Sequence, residues 1–235
     1  MWFRALLLKL DETNIKGDEP MAKTSKEYKS MSVKEFTKAA KVYDSGHSGI
    51  YEMCKYDYPK VLAELESVEF KDVLDCGCGT GPMIEILTEK YPDKQYTGLD
   101  LTLEMIKKAK EKNLKNTEFI VGDCENLPFA DESFDVIICT NSFHHYPNPQ
   151  AFFDNVYRVL RKNGRLILRD YTSNGVVLWF VNHIELPLAR LIGHGDVKVY
   201  KREEFKEMLE KAGFTKMKIK AEEKFRCHVV AVKMK

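Results

Sequence analysis

From residue 71 onward, short apolar runs alternate with helix-compatible stretches, and this alternation limits the fold more than any other feature of the sequence. The pattern is typical of right-handed βαβ units, in which helices connect parallel strands. The predicted strands of this region span residues 73–76, 95–100, 118–121, 134–140 and 165–171. The fourth run is continuously apolar, as expected for a strand covered on both faces. The alternation therefore predicts an α/β fold built on a mostly parallel sheet.

Signals at helix ends support the stretches between these strands. The predicted helices span residues 82–91, 103–112 and 150–161. Pro82 suits a first helical position, where a missing N–H costs nothing, and Thr102 is a natural N-cap. The pair Asn163-Gly164 is expected to stop the third helix.

The last elements follow a different pattern. Residues 201–212 predict a helix closed by Gly213, and strand-like runs follow at 215–220 and 225–232. The connection between these two runs is too short for a parallel crossover but permits an antiparallel hairpin. We therefore predict a seven-stranded, Rossmann-like sheet, mostly parallel, with an antiparallel C-terminal hairpin and helices on both faces.

The chain of 235 residues fits one large domain preceded by an extension. Residues 31–235 are predicted to form the domain, and residues 1–30 a loosely attached N-terminal extension. The apolar start carries Arg4 and Lys9 and is shorter than the roughly 20 residues that a membrane span needs. We therefore expect no membrane span.

Residues 172–199 do not fit the alternation. They are rich in apolar side chains and predict a helix broken at Pro187. The segment follows the carboxyl end of a strand, which is the side where ligands bind in such sheets. We predict a lid over a substrate, with Trp179 and His183 facing it; an additional core or dimer-packing helix explains the composition equally well.

A glycine-rich turn follows the first predicted strand. Gly77, Gly79 and Gly81 allow a sharp bend and a close approach of backbone to ligand, although dinucleotide enzymes use a related turn. Asp75 lies at the end of the strand, where its carboxylate would repel a pyrophosphate but suits a ligand with an ammonium group. This context favours a cationic ligand.

Acidic residues also end the next two strands. Asp100 is placed to accept hydrogen bonds from both hydroxyls of a ribose. Asp123 closes the third strand and could accept a hydrogen bond from an adenine amino group. Three carboxylates at successive strand ends fit a cationic ligand that carries a ribose better than they fit a polyanion.

Several motifs resemble those of class I S-adenosylmethionine-dependent methyltransferases, and the likeness is closest to the small-molecule group that includes ubiquinone and menaquinone biosynthesis enzymes. These are residues 73–81 (VLDCGCGTG), 122–129 (GDCENLPF), 131–140 (DESFDVIICT) and 158–170 (RVLRKNGRLILRD). The resemblance covers residues 70–171 well and the terminal helix and hairpin more loosely. It implies the class I methyltransferase sheet, S-adenosyl-L-methionine as cofactor and methyl transfer to a small-molecule acceptor.

The resemblance also assigns positions in the cofactor site. Those of Asp75, Gly77 and Gly79 line the methionine end of the cofactor. The remaining positions bind the ribose (Asp100), contact the adenine (Leu101), hold the adenine edge (Asp123 and Cys124) and lie beside the cofactor (Asn141).

Methyl transfer by in-line displacement needs alignment and exclusion of water, and a general base only when the acceptor arrives protonated. His144 and His145 follow the fourth strand and are the candidate bases, although they could equally cap a helix or line the pocket. Tyr43 and His47 precede the first strand, in a segment that in related enzymes closes over cofactor and substrate.

Composition restricts the other classes of function. A net charge of +1 offers no global attraction for nucleic acid, so we expect a small-molecule partner. The six cysteines show no disulfide framework, and no secretory signal is present, which favours a cytoplasmic location. No His, Cys or Asp cluster has metal spacing, so no metal is predicted. An NAD(P)-dependent oxidoreductase and a non-catalytic S-adenosylmethionine-binding module remain the alternatives.

Overall fold

The computed structural model describes residues 23–43, 54–222 and 225–234. Seven strands form one sheet in the order β3-β2-β1-β4-β5-β7-β6. The strands are β1 (Asp72–Cys76), β2 (Gln95–Asp100), β3 (Thr117–Val121), β4 (Phe134–Thr140), β5 (Leu160–Tyr171), β6 (Lys216–Glu222) and β7 (Arg226–Val232). Most of the predicted extension, residues 1–22, and the predicted site residue His47 lie outside the described residues.

Strand directions follow from the lengths of the connections. Strands β1 to β5 pair in parallel with their neighbours in the sheet. Strand β7 runs antiparallel to both β5 and β6, and it pairs with β5 from Arg165↔Val232 to Tyr171↔Arg226. The predicted seven-stranded sheet with an antiparallel C-terminal hairpin is confirmed.

Helices cover both faces of the sheet. The α-helices that position the site are α1 (Ser25–Ala39), α2 (Tyr58–Leu65), α3 (Pro82–Lys90), α4 (Leu103–Glu111), α5 (Pro149–Val159), α6 (Gly175–Phe180), α7 (Leu186–Leu191) and α8 (Arg202–Ala212). Successive strand residues point to opposite faces. Leu74 and Ile137 pack in the core beneath α5 and α8, whereas Val73 and Ile138 pack against α2, α3 and α4.

Helix α1 begins before residue 31, where we placed the start of the domain. Thr24 is its N-cap, and Glu27 completes a capping box by accepting the backbone N–H of Thr24. The helix packs on α4, and the Thr37 hydroxyl donates to Glu104 at 3.1 Å. Residues 25–30 are therefore ordered parts of a helix that lies against the domain.

The predicted helix break at Pro187 is wrong. Helix α6, a π-helical turn at Val181–Glu185 and helix α7 follow one another with helical dihedral angles. In the π turn, the N–H of Leu186 donates to the carbonyl of Val181, five residues earlier. Pro187 follows directly and opens the next helical segment, where its missing N–H is tolerated.

The turn at Asn163-Gly164 also differs from its predicted role. Helix α5 already ends at Val159, and the turn interrupts β5 at a register irregularity between Phe134 and Val136. Asn163 adopts a φ of 66°. Sequence signals for a helix stop and for an irregular strand are the same here, because both use residues that tolerate a left-handed backbone.

Replacing Phe152 with alanine should destabilise the domain by about 3–5 kcal/mol, because it leaves a cavity in the core between α5 and the sheet. Phe152 is fully buried in that core. Chemical denaturation would measure the loss. The control is Val176→Ala, at a side chain that is 83% exposed, which should change stability by less than about 0.5 kcal/mol. Equal effects of the two substitutions would contradict the described packing.

Candidate active site

A cleft lies at the carboxyl ends of β1 to β4 and encloses about 710 Å³, including the part open to solvent. Strand ends gather there because the strands run parallel, and helix α1 forms the opposite wall. Its lining residues are Lys29, Ser32, Phe36, Tyr43, Gly77, Gly79, Asp100, Leu101, Thr102, Met105, Asp123, Cys124, Thr140, Asn141, Ser142, His145, Tyr146 and Pro147.

The glycine-rich turn forms the floor of the cleft. Gly77, Gly79 and Gly81 all have positive φ angles, of 73°, 55° and 77°. A Cβ on Gly77 would lie 1.9 Å from the Ser142 hydroxyl oxygen, whereas a Cβ on Gly79 would meet nothing closer than the Tyr43 ring at 3.9 Å. The backbone at Gly79 is therefore open to a ligand. Gly81 is outside the cleft lining and packs against the Phe119 ring.

Asp75 lies beneath this turn and is 2% exposed. Among the described residues, its Oδ1 atom has no hydrogen-bond partner. Burial, with a smaller contribution from the nearby Asp100 carboxylate, raises the pKa of Asp75 to about 7. A buried carboxyl group with an unused acceptor oxygen is costly, and a ligand that carries an ammonium group would relieve that cost.

Asp100 ends β2 and turns its carboxylate toward the glycine turn. It accepts the N–H of Gly79 at 3.0 Å and the N–H of Thr102 at 2.8 Å. Burial raises the pKa of Asp100 despite these two hydrogen bonds, which act in the opposite direction. The Thr102 side chain does not cap α4, so the residue serves through its backbone instead. Each Asp100 oxygen keeps acceptor capacity for a ligand hydroxyl.

The far end of the cleft holds Asp123 and Cys124. Lys29 of α1 donates to Asp123 at 2.6 Å and also pairs with Glu125. Burial lowers the pKa of Lys29, but the bonds to the two carboxylates outweigh burial and raise it overall. Asp123 also accepts the N–H of Glu125 at 2.9 Å. Helix α1 is thereby held against the end of the cleft by an ion pair.

Asn141 has a φ of 52° and lies at the edge of a buried ionic network. Its amide donates to Asp57 at 2.9 Å and accepts from Arg226 at 2.7 Å. Arg169 donates to the same Asp57 carboxylate at 2.9 Å and to Glu222 at 3.0 Å. Asn141 lines the cleft, but its side chain is already engaged by β7 and by the segment before α2.

The two candidate bases occupy different positions. His145 lines the cleft and packs edge-on against Phe36, with a pKa lowered by burial and by His144. His144 lies outside the cleft lining, and its Nδ1 lies 2.6 Å from Asp170 Oδ1. Burial lowers the pKa of His144, but the charge of Asp170 and the hydrogen bond to it outweigh burial and raise it overall. Only His145 faces the cleft.

The residues predicted to contact the substrate also divide into one that lines the cleft and two that do not. Tyr43 lines the cleft beside Gly79. Trp179 is 55% exposed and stacks on His183 with ring centroids 5.1 Å apart, and neither residue lines the cleft. The sequence analysis missed the wall formed by α1, which contributes Lys29 and Phe36 among others. The capping-box pattern at residues 24–27 is the sequence signal for that helix.

The residues of the cleft and of the turn beneath it fit S-adenosylmethionine, the cofactor that the fold implies. The unpaired Asp75 oxygen suits an ammonium group, the open backbone at Gly79 leaves room for a ligand, and Asp100 offers two oxygens to a diol. Leu101 and Met105 supply apolar contact for an aromatic base. This donor set matches S-adenosylmethionine better than a dinucleotide, because the floor of the cleft is acidic.

Comparisons with known proteins agree with this geometry. Residues 74–168 match the family Methyltransf_11, described as a methyltransferase domain. The chain is 41% identical over 123 residues to phthiotriol/phenolphthiotriol dimycocerosates methyltransferase 1 of Mycobacterium ulcerans, covering 52% of this chain and 45% of that one. It is 39% identical over 111 residues to demethylmenaquinone methyltransferase of Thermotoga maritima, covering 47% and 48%. The chain thus spans about half the length of these relatives.

The fold agrees with that of a solved S-adenosylmethionine-dependent methyltransferase of Aquifex aeolicus, with a TM-score of 0.63 and 24% identity. The match covers 84% of this chain and 98% of that chain. The fold and the acidic, glycine-floored cleft define a nucleoside-binding α/β domain. Residues 74–168 are similar to a methyltransferase domain, and the chain has the fold of a solved S-adenosylmethionine-dependent methyltransferase. The predicted fold class is confirmed.

Asp75→Asn should weaken the affinity for S-adenosylmethionine by about 10–100-fold, because a charged hydrogen bond to an ammonium group is lost. In the wild type, affinity should increase as the pH rises through about 7, because the ligand favours the ionised carboxylate. The variant should lack this rise. Calorimetric titrations of both proteins across this pH range would measure it, and a rise that persists in the variant would assign it to another group.

The same substitution should stabilise the ligand-free protein at alkaline pH. The raised pKa of Asp75 means that the folded state retains a proton that the unfolded state loses, so stability falls as the pH rises from about 4 through 7. The variant should recover at most about 4 kcal/mol at pH 8. Thermal denaturation at pH 5 and pH 8 would measure this difference. Identical pH dependence in both proteins would show that Asp75 is not a buried, ionising group.

Proposed function

We propose that this chain binds S-adenosylmethionine in the cleft and transfers its methyl group to a small, largely apolar acceptor. The unpaired carboxyl oxygen of buried Asp75, beside the open backbone of Gly79, is the observation that carries the cofactor assignment. We keep the predicted cofactor contacts of Gly77, Asp100, Leu101, Asp123, Cys124 and Asn141, all of which line the cleft. For Gly81 we propose a packing role.

The acceptor class is supported by the relatives and by the cleft. The relatives are named for methylating phthiotriol lipids and demethylmenaquinone, and another is a fatty-acid O-methyltransferase of Mycolicibacterium smegmatis. The cleft wall opposite the glycine turn carries the apolar side chains Phe36 and Met105. We therefore propose a lipid or quinone-like acceptor that presents one nucleophilic atom.

Alignment is the main contribution that these residues make to the reaction. The cofactor supplies a methyl group on a sulfonium, which a nucleophile displaces in line. Asp75 and Asp100 would fix the two ends of the aminoacyl-ribosyl portion, and the missing side chain of Gly77 leaves room for the Ser142 hydroxyl close to the turn. Holding two reactants in a reactive geometry supplies about 7–11 kcal/mol of barrier reduction.

We propose that His145, and not His144, accepts a proton from a protonated acceptor when no other group has removed it. His145 faces the cleft, whereas His144 lies behind it and is held by Asp170. His144 is then a positioning residue. It would act by fixing the 3-10 helix Phe143–His145 through its backbone N–H, which donates to Asp170 at 3.0 Å.

We propose that residues 172–199 act as a lid. The end of this segment contacts α1, since His194 lies 2.5 Å from Glu35 and the Ser32 hydroxyl donates to the Gly195 carbonyl at 3.3 Å. Helix α1 in turn forms one wall of the cleft. Trp179 and His183 would reach an acceptor only if α6 moved inward. A dimer-packing role for the exposed apolar side chains of α6 is the alternative.

A cytoplasmic location and the absence of a nucleic-acid partner stay predictions. Among the residues that the structure describes, no helix is both long and apolar enough to span a bilayer. The oxidoreductase alternative is disfavoured by the acidic floor of the cleft and by the family match. A non-catalytic binding module differs from the proposed enzyme only in turnover.

Transfer of a labelled methyl group from S-adenosylmethionine to hydroxylated lipids, quinols and free fatty acids tests the proposal. Asp100→Ala should reduce cofactor affinity by at least about tenfold, because the ribose loses its acceptor. Asp93→Ala, at an exposed acidic residue outside the cleft, is the matched control and should bind normally. Saturable binding without transfer to any acceptor class would favour a binding module, and the absence of binding would reject the cofactor assignment.

A further inference from the structure

Two histidines and an aspartate converge at one end of the cleft. The Nε2 atoms of His144 and His145 lie 3.3 Å and 4.0 Å from the same carboxylate oxygen of Asp196. One donor atom from each of the three residues lies within 4.8 Å of the other two. Asp196 comes from the segment after α7, so the sequence gives no indication of this cluster.

The orientation of His144 is already fixed from its other side. Its Nδ1 lies 2.6 Å from Asp170 Oδ1, and a carboxylate can only accept, so Nδ1 carries the hydrogen of this bond. The Nε2 atom then faces Asp196 at 3.3 Å, where it donates a hydrogen bond when the ring is protonated and can ligate an ion when the ring is neutral. An imidazole held by a carboxylate through one nitrogen and free to ligate through the other is the usual arrangement of a metal-binding histidine.

His145 provides a second, independent observation. Its side chain is 11% exposed, and its buried Nδ1 atom has no hydrogen-bond partner of normal geometry among the described residues. Its ring centroid lies 4.1 Å from that of His144, with the planes tilted by 40°. Its Nε2 atom, 4.0 Å from Asp196 Oδ1, is the nitrogen that faces the cluster and can ligate an ion.

We propose that His144, His145 and Asp196 form a binding site for a divalent transition-metal ion of the zinc class. Two ligands that each lie about 2.1 Å from a tetrahedral ion are roughly 3.4 Å apart, close to the observed 3.3 Å and within a small adjustment of 4.0 Å. Two histidines with one carboxylate are a ligand set found in catalytic zinc sites, which leave the fourth position open.

An overlapping group of Glu35, His194 and Asp196 is the weaker candidate. Both Glu35 oxygens are already used, since Oε1 lies 2.5 Å from His194 Nδ1 and Oε2 accepts the N–H of Gly195 at 2.8 Å. This group is satisfied by internal hydrogen bonds. It serves to hold the segment that carries Asp196 against α1.

The role of the proposed metal site rests on the proposed methyl transfer. Metal binding itself does not depend on it. His145 lines the cleft, so the open position of the ion would face the acceptor. A hydroxyl bound there loses its proton to solvent more readily. The oxygen lone pair then forms the new C–O bond while the methyl–sulfur bond breaks and its electron pair stays on sulfur. With the ion bound, His145 serves as a ligand and not as the base.

Titration of the full chain with Co²⁺, followed by competition with Zn²⁺, tests the site directly and without an acceptor. Micromolar binding with the visible absorption of four-coordinate Co²⁺, and without thiolate charge transfer from the six buried cysteines, is the expected result. The absence of saturable binding to the folded wild type would overturn the proposal. This outcome leaves cofactor binding and methyl transfer untouched, so the two proposals fail separately.

Variants locate the site. His144→Gln and Asp196→Asn should abolish the Co²⁺ spectrum, and Asp170→Asn should weaken metal affinity by about 10–100-fold, because the supporting hydrogen bond is altered. His183→Ala, at the exposed histidine of the π turn between α6 and α7, should leave the spectrum unchanged. Retention of the spectrum in Asp196→Asn, or its loss in His183→Ala, would contradict the assignment. Thermal denaturation without metal identifies any variant that fails to fold.

Discussion

A buried and a half-buried carboxyl group at adjacent strand ends impose the main physical constraint on this molecule. Parallel pairing brings the carboxyl ends of β1 and β2 together, so Asp75 and Asp100 lie near each other in a region of low dielectric. Asp100 is compensated by two backbone N–H groups, whereas Asp75 retains an unpaired oxygen. The core on both faces of the sheet must offset this cost, and the same cost makes the cleft favour a cationic ligand.

The wall opposite these carboxylates comes from a part of the chain that is remote in sequence. Lys29 reaches Asp123 across 94 positions, and His194 reaches Glu35 across 159. Helix α1 therefore contacts the Asp123 end of the cleft and the segment after α7 at the same time. Because both contact helix α1, a movement of the segment after α7 would also displace the wall of the cleft.

The sheet and the acidic residues at the ends of its strands could be predicted from the sequence, because periodicity and turn residues are local signals. Asp100 and Asp123 could be placed in one cleft since parallel strands share an edge, whereas Asp75 lies outside its lining and beneath the glycine turn. Local signals could not separate His144 from His145, because which of the two faces the cleft depends on the contact between His144 and Asp170, 26 positions away in the sequence. They also misassigned Pro187, since a π turn depends on packing and not on composition.

The ionic network around Asn141 has a consequence for how the protein is made. Arg226 opens β7, and it is separated by 85 positions from the Asn141 amide that it contacts. Strand β7 must also insert between β5 and β6 before the sheet is complete. A nascent chain on the ribosome therefore carries an unfinished cleft until residues beyond 226 have emerged. Acquisition of the binding-competent state should accordingly be among the last events of folding.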